Sequence, residues 1–148
     1  MTIKPPDPNF EARVRGSFAQ QRFMGTLGAV LEQVSAGSVT IRVPFRADLT
    51  QQDGFLHAGV LASVADSACG YAAFSLMPAN ARVLSVEFKI NMLSPAKGEA
   101  IVARASVMRA GKTIMVCRAD VYSLTGGTEK LVAAMQGTMM VLTTGNGE

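Results

Sequence analysis

The chain has 148 residues, 49% hydrophobic and 17% charged, which suits one folded domain with a sizeable core and excludes a disordered chain. The formal net charge is only +3, with Lys and Arg scattered, so no basic stripe marks a nucleic-acid surface. One histidine, His57, and two distant cysteines, Cys69 and Cys117, argue against a zinc cluster or a disulfide framework and point to a reducing, cytoplasmic setting.

Residues 1–8 are expected to form a loose tail to a single domain spanning 1–148. Its prolines and acid stand where a signal peptide needs an apolar stretch. Asn9 is placed to cap a helix that begins at Phe10, with Glu11 in the first turn, where a negative charge suits the helix dipole. That helix is expected to fade over 21–25, and 26–34 reads as a strand. Ala36-Gly37 then turns the chain into the alternating run 38–43, the signature of a hairpin.

A polar segment, 46–54, leads into the run from His57 to Met77, too long and Ala-rich for a strand. It reads as a helix that is apolar nearly all round, and therefore buried, closed by Pro78. Ser63, Asp66, Ser67, Gly70 and Ser75 interrupt it, so it is not a membrane span. Four strand-like segments follow: 82–92, 99–109, 113–123 and 130–142. Turns at 94–98, Ala110-Gly111-Lys112 and 125–127 separate them. Helix, two strands, one long buried helix and four strands make an α+β domain. A curved antiparallel sheet of about six strands wraps one central helix, the hotdog architecture.

Asp66 is the one acid of the buried helix, and Gly59, Ser63, Asp66 and Gly70 share a face through spacings of four, three and four. A carboxylate among apolar neighbours is either a paired structural group or a general base or nucleophile in a cleft. The preceding segment, 51–59, brings a glycine to a helix N-terminus, where free backbone N–H groups and the dipole favour an oxyanion. Arg109, Gly111 and Lys112 sit at a hairpin turn, either an ordinary solvated turn or a place for phosphates.

The run Gly54-Phe55-Leu56-His57-Ala58-Gly59, with Asp66 seven positions further on, resembles the acyl-CoA thioesterases of the phenylacetic-acid-degradation type in the hotdog superfamily. The resemblance implies hydrolysis of an acyl- or aryl-CoA thioester without a metal or other cofactor, CoA being part of the substrate. It implies Asp66 as general base or nucleophile and the Gly59 N–H as the donor that polarises the carbonyl. Gln51 would help place water or carbonyl, His57 would orient the loop, and Ser85 would act across a subunit interface. Arg109, Gly111 and Lys112 would lie near the nucleotide end of CoA. It also implies a homodimer or a dimer of dimers with active sites between subunits.

Two departures stand out. The family commonly has two glycines after the histidine, and here the first is Ala58, which still donates its N–H. Strict alternation along 82–92 puts Ser85 on the face opposite Val86, Phe88, Ile90 and Met92, pointing it away from the helix. Two other readings remain: a hotdog hydratase or dehydratase using His57 with Asp66, and a non-catalytic acyl-CoA-binding domain. A Ser-His-Asp triad is a poor fit, because no serine sits in a G-x-S-x-G elbow.

Overall fold

The computed structural model describes residues 3–144. Two N-terminal helices, α1 (Phe10–Gln20) and α2 (Arg22–Leu27), precede the hairpin β1 (Val30–Ser35) and β2 (Ser38–Pro44). A short 3-10 turn leads to α3 (Ala58–Phe74), and four strands follow: β3 (Ala81–Met92), β4 (Ala100–Ala110), β5 (Ile114–Thr125) and β6 (Thr128–Thr143). All neighbouring strands are antiparallel, in the order β1-β2-β4-β5-β6-β3. The chain leaves α3 for the far edge of the sheet, so β3 is an edge strand although it is third in sequence.

The sheet holds α3 against its concave face in the hotdog arrangement, chiefly over β4 and β5. Small side chains meet there. Ala65, Ala68, Cys69 and Ala72 of the helix and Ala103, Ala105, Cys117 and Ala119 of the sheet are all buried. Short side chains on both surfaces let helix and sheet approach closely. Val39, Ile41, Val43, Val64, Val121 and Met139 fill the volume around them.

The N-terminal segment differs from its expectation in two places. Asp7 is only 6% exposed, so the tail is tied down there. Its Oδ2 lies 2.8 Å from Arg13 Nε, and its Oδ1 accepts the Asn9 N–H at 2.9 Å. Asn9 occupies the N-cap position of α1, but its side chain caps nothing. The expected strand from Thr26 is shortened as well. Gln21 breaks the first helix in an extended conformation, and α2 carries Met24 and Leu27 into the core. Gly28, at φ 69°, then ends α2 in the left-handed region, and the strand begins at Val30.

The long helix stops at Phe74, short of Met77. Ser75 Oγ donates back to the Ala72 carbonyl and accepts the Gly37 N–H, each at 2.7 Å, tying the helix end to the first hairpin turn. Arg13 gathers the carbonyls beyond it, donating to Phe74 at 3.1 Å, Met77 at 2.7 Å and Pro78 at 3.0 Å. One guanidinium thus caps α3, pairs with Asp7 and stacks over Phe74, 4.2 Å from its ring centre. Arg13→Met keeps the stem and strands the buried Asp7 carboxylate. It should cost about 3 kcal/mol in chemical denaturation, the usual penalty for breaking one side of a buried pair.

Candidate active site

Asp66 lies midway along α3, half-buried, at the rim of an open cleft of about 380 Å³. Ser85 on β3 faces it, and the Ser85 hydroxyl donates to Asp66 Oδ1 at 2.7 Å. Alternation had put Ser85 on the wrong side of the strand. A β-bulge corrects this: Ser85 pairs with Met139 and Glu87 with Thr138, leaving Val86 without an opposite number. Odd positions face the helix before the bulge and even positions after it. Val83 and Ser85 therefore line the same cleft, while Ile90 still packs on the core.

Burial pushes the Asp66 carboxyl above the ordinary aspartate range, and the hydrogen bond from Ser85 pulls it partway back. Cys69, one turn on, is no rival nucleophile. It is fully buried, and burial drives its thiol far above the usual range, with Cys117 and Asp66 adding to the effect.

The N-terminus of α3 departs from the expected assignment of donors. His57 is the N-cap, and its Nδ1 accepts the Gly59 N–H at 2.8 Å. The glycine leaves room for this cap, since a Cβ there would crowd Nδ1 at 3.0 Å. Gly59 N–H is therefore occupied, and His57 Nδ1 is committed as an acceptor to the backbone. Val60 N–H bonds back to the His57 carbonyl at 2.9 Å. Among the described residues, the Ala58 N–H has no hydrogen-bond partner. Ala58 lines a second cleft, of about 400 Å³, together with Gln51, Leu61 and Met92. Gln51 shapes its own loop, its side-chain carbonyl accepting the Asp53 N–H. Gly54 closes that loop at φ 84°.

The predicted site residues thus fall into separate groups. Asp66 and Ser85 meet in one cleft, and Gln51 opens on the second. His57 and Gly59 border a third, beside Phe23 and Ser63. Arg109, Gly111 and Lys112 line none of these. They form the β4–β5 turn, where a Cβ on Gly111 would collide with the Ile114 carbonyl, so that glycine has a structural reason. The sequence reading noted the Ala58 N–H but assigned the donor role to Gly59, and it missed a polar wall opposite Ser85 built by Ser17, Gln21, Ser67 and Tyr71. The tyrosine tip on an otherwise oily helix was the one available signal for that wall.

Comparison with known proteins agrees with this architecture. Residues 53–130 match the model of the thioesterase superfamily. A thioesterase family protein from Silicibacter pomeroyi is 48% identical, with 90% of this chain and 98% of that one covered at a TM-score of 0.89. A Saccharolobus solfataricus protein that bears the name of an esterase is 30% identical over 129 residues, 87% of this chain and 83% of its own. The E. coli PaaI protein of the phenylacetic acid degradation operon shares the fold at 20% identity and a TM-score of 0.82, covering 90% of this chain and 94% of that one. The chain belongs to the thioesterase superfamily, and with it to the thioester hydrolases.

The raised carboxyl has a consequence for stability. Between the ordinary aspartate range and its raised value, native Asp66 holds more proton than unfolded Asp66. The native state therefore loses stability as pH rises through that window. Asn keeps the shape and can still accept from Ser85. Asp66→Asn should therefore melt higher than the parent at neutral pH, and the gain should vanish below about pH 3, where the parent carboxyl is protonated in both states. Melting curves across that range check this.

Proposed function

We propose that the protein is an acyl-CoA thioesterase in which Asp66 is the general base and a second copy of the chain completes the site. The observation that supports this is the Asp66–Ser85 pair in its cleft. Ser85 occupies Oδ1 and leaves Oδ2 to take a proton from water. Burial raises the basicity of that oxygen. The hydroxide formed attacks the thioester carbonyl carbon. The oxyanion is held by the Ala58 N–H and the Gln51 amide, and collapse of the tetrahedral intermediate expels the CoA thiolate, which takes up the proton that Asp66 removed from water and so restores the base. A thiolate leaves readily, so a base and an oxyanion site are sufficient machinery.

Those donors cannot belong to the same copy as the base. Ala58 and Asp66 are eight residues apart on one helix, about 12 Å along its axis. Both must lie near 3 Å from one reacting carbonyl. The edge strand β3 offers the solution. It exposes an unpaired backbone edge together with Val86 at 53%, Phe88 at 43% and Met92 at 43%. Its Ser85 end lies by Asp66 and its Met92 end by Ala58 and Gln51. Two-fold pairing of β3 with its copy, centred between Phe88 and Lys89, sets Ser85 opposite the partner subunit's Met92. That exchange brings the donor end of one chain to the base of the other. The Arg109–Lys112 turn lies on the row Ser85–Met139–Met115–Ala110, three strand spacings or about 14 Å from Ser85. That is a reach suited to the CoA arm, with cations at its phosphate end.

Asp66→Asn should lower kcat by about a hundredfold or more with a smaller change in KM, measured by thiol release from a panel of acyl-CoAs. Full turnover in the folded variant would end the general-base assignment. A Val86→Lys, Phe88→Lys variant should elute as a monomer by light scattering and lose activity to a similar degree. An active monomer would remove the shared site.

A further inference from the structure

The Asp66 cleft has a second polar feature that the hydrolysis does not require. Gln21 stands where α1 ends and α2 begins, and its amide is engaged on both sides. Nε2 donates to the Tyr71 hydroxyl at 3.1 Å, and Oε1 accepts from the Ser67 hydroxyl at 3.1 Å. Ser17 Oγ lies 3.4 Å from the same tyrosine oxygen. These partners set the amide in one orientation. Tyr71 is held in turn by edge-to-face packing against Phe18 and Phe74, with ring centres 5.8 and 6.3 Å away. Arg13 anchors the helix that carries Ser17 and Phe18. The wall is thus rigid before any ligand arrives.

It also retains hydrogen-bonding capacity. Gln21 keeps one amide hydrogen and one carbonyl lone pair, and the hydroxyls keep lone pairs of their own. The opposite side of the cleft carries the apolar Val83 and the buried Met139 beside Ser85. Among the described residues, no lysine or arginine lines the cleft, and its one charged group is the Asp66 carboxyl. The CoA phosphates would be repelled there. The cleft therefore takes the acyl side of the thioester, and about 380 Å³ suits a short chain or a single ring.

We propose that Gln21 is a specificity-determining residue: with Tyr71, it selects acyl groups that carry a hydroxyl or carbonyl oxygen at the end remote from the thioester. This rests on the thioesterase reading above. A site built to hydrogen-bond such an oxygen discriminates against the analogue that lacks it, because the wall is then desolvated without a partner. A merely structural Gln21, tying α1 to α3, would affect melting and leave the choice between substrates unchanged.

The test uses size-matched thioester pairs: hexanoyl-CoA with 6-hydroxyhexanoyl-CoA, and 3-phenylpropanoyl-CoA with 3-(4-hydroxyphenyl)propanoyl-CoA. In the parent protein, kcat/KM should favour the hydroxylated member of at least one pair about tenfold or more. Gln21→Met, near in shape but without the amide, should bring that ratio toward one. Tyr71→Phe, which preserves the ring packing, should do the same, with melting temperatures recorded for both. Hydrolysis of both pairs without preference in the parent would overturn this inference and leave the thioesterase reading standing. A preference that survives unchanged in both variants would overturn it too. Hydrolysis of none of the four thioesters would overturn both.

Discussion

A carboxylate held half out of water against an oily helix is the constraint on which the functional reading depends. Asp66 lies between Ala65 and Ala68, both fully buried, and one turn from Cys69. Left alone there, the charge would be costly. Among the described residues, Ser85 supplies the one hydrogen bond that moderates the cost, and it reaches Asp66 only because β3 bulges at Val86. Without the bulge the strand would present Ser85 to the outer face. A one-residue defect in the ladder thus gives an otherwise isolated acid its hydroxyl partner.

The two groups to which the proposed chemistry is assigned lie on one rigid rod. α3 carries the unpartnered Ala58 N–H at its start and Asp66 two turns later, and a helix cannot shorten the distance between them. His57 sharpens the division of labour, since its imidazole consumes the neighbouring Gly59 donor and leaves Ala58 exposed. An alanine in that place is no handicap, because the donor is backbone. The long apolar edge of β3 would be an aggregation hazard if left bare, and the two-fold pairing proposed above would both cover it and unite the separated groups.

The N-terminal helices belong to the same design. Arg13 binds α1 to the C-terminal end of α3 through three carbonyls and Asp7. That anchorage places Gln21 and Ser17 against the cleft. A segment that looked like a loose tail and a fading helix is the part that closes one side of the site.

Sequence alone determined the element order apart from α2, the buried central helix, the hairpins and Asp66 as the exceptional residue. These follow from periodicity, from turn residues and from a lone acid in an apolar run, all of them local signals. The tertiary structure alone decided the face of Ser85, because a bulge is set by pairing with β6 and leaves no mark on β3's alternation. It alone decided which N–H is free at the start of α3, because that depends on where the His57 ring turns. The burial of Asp7 and the wall formed by Gln21 and Tyr71 likewise join residues about fifty or more positions apart, or a tail to its helix. No spacing rule reaches across such distances; only the packing of α1 on α3 brings those groups together.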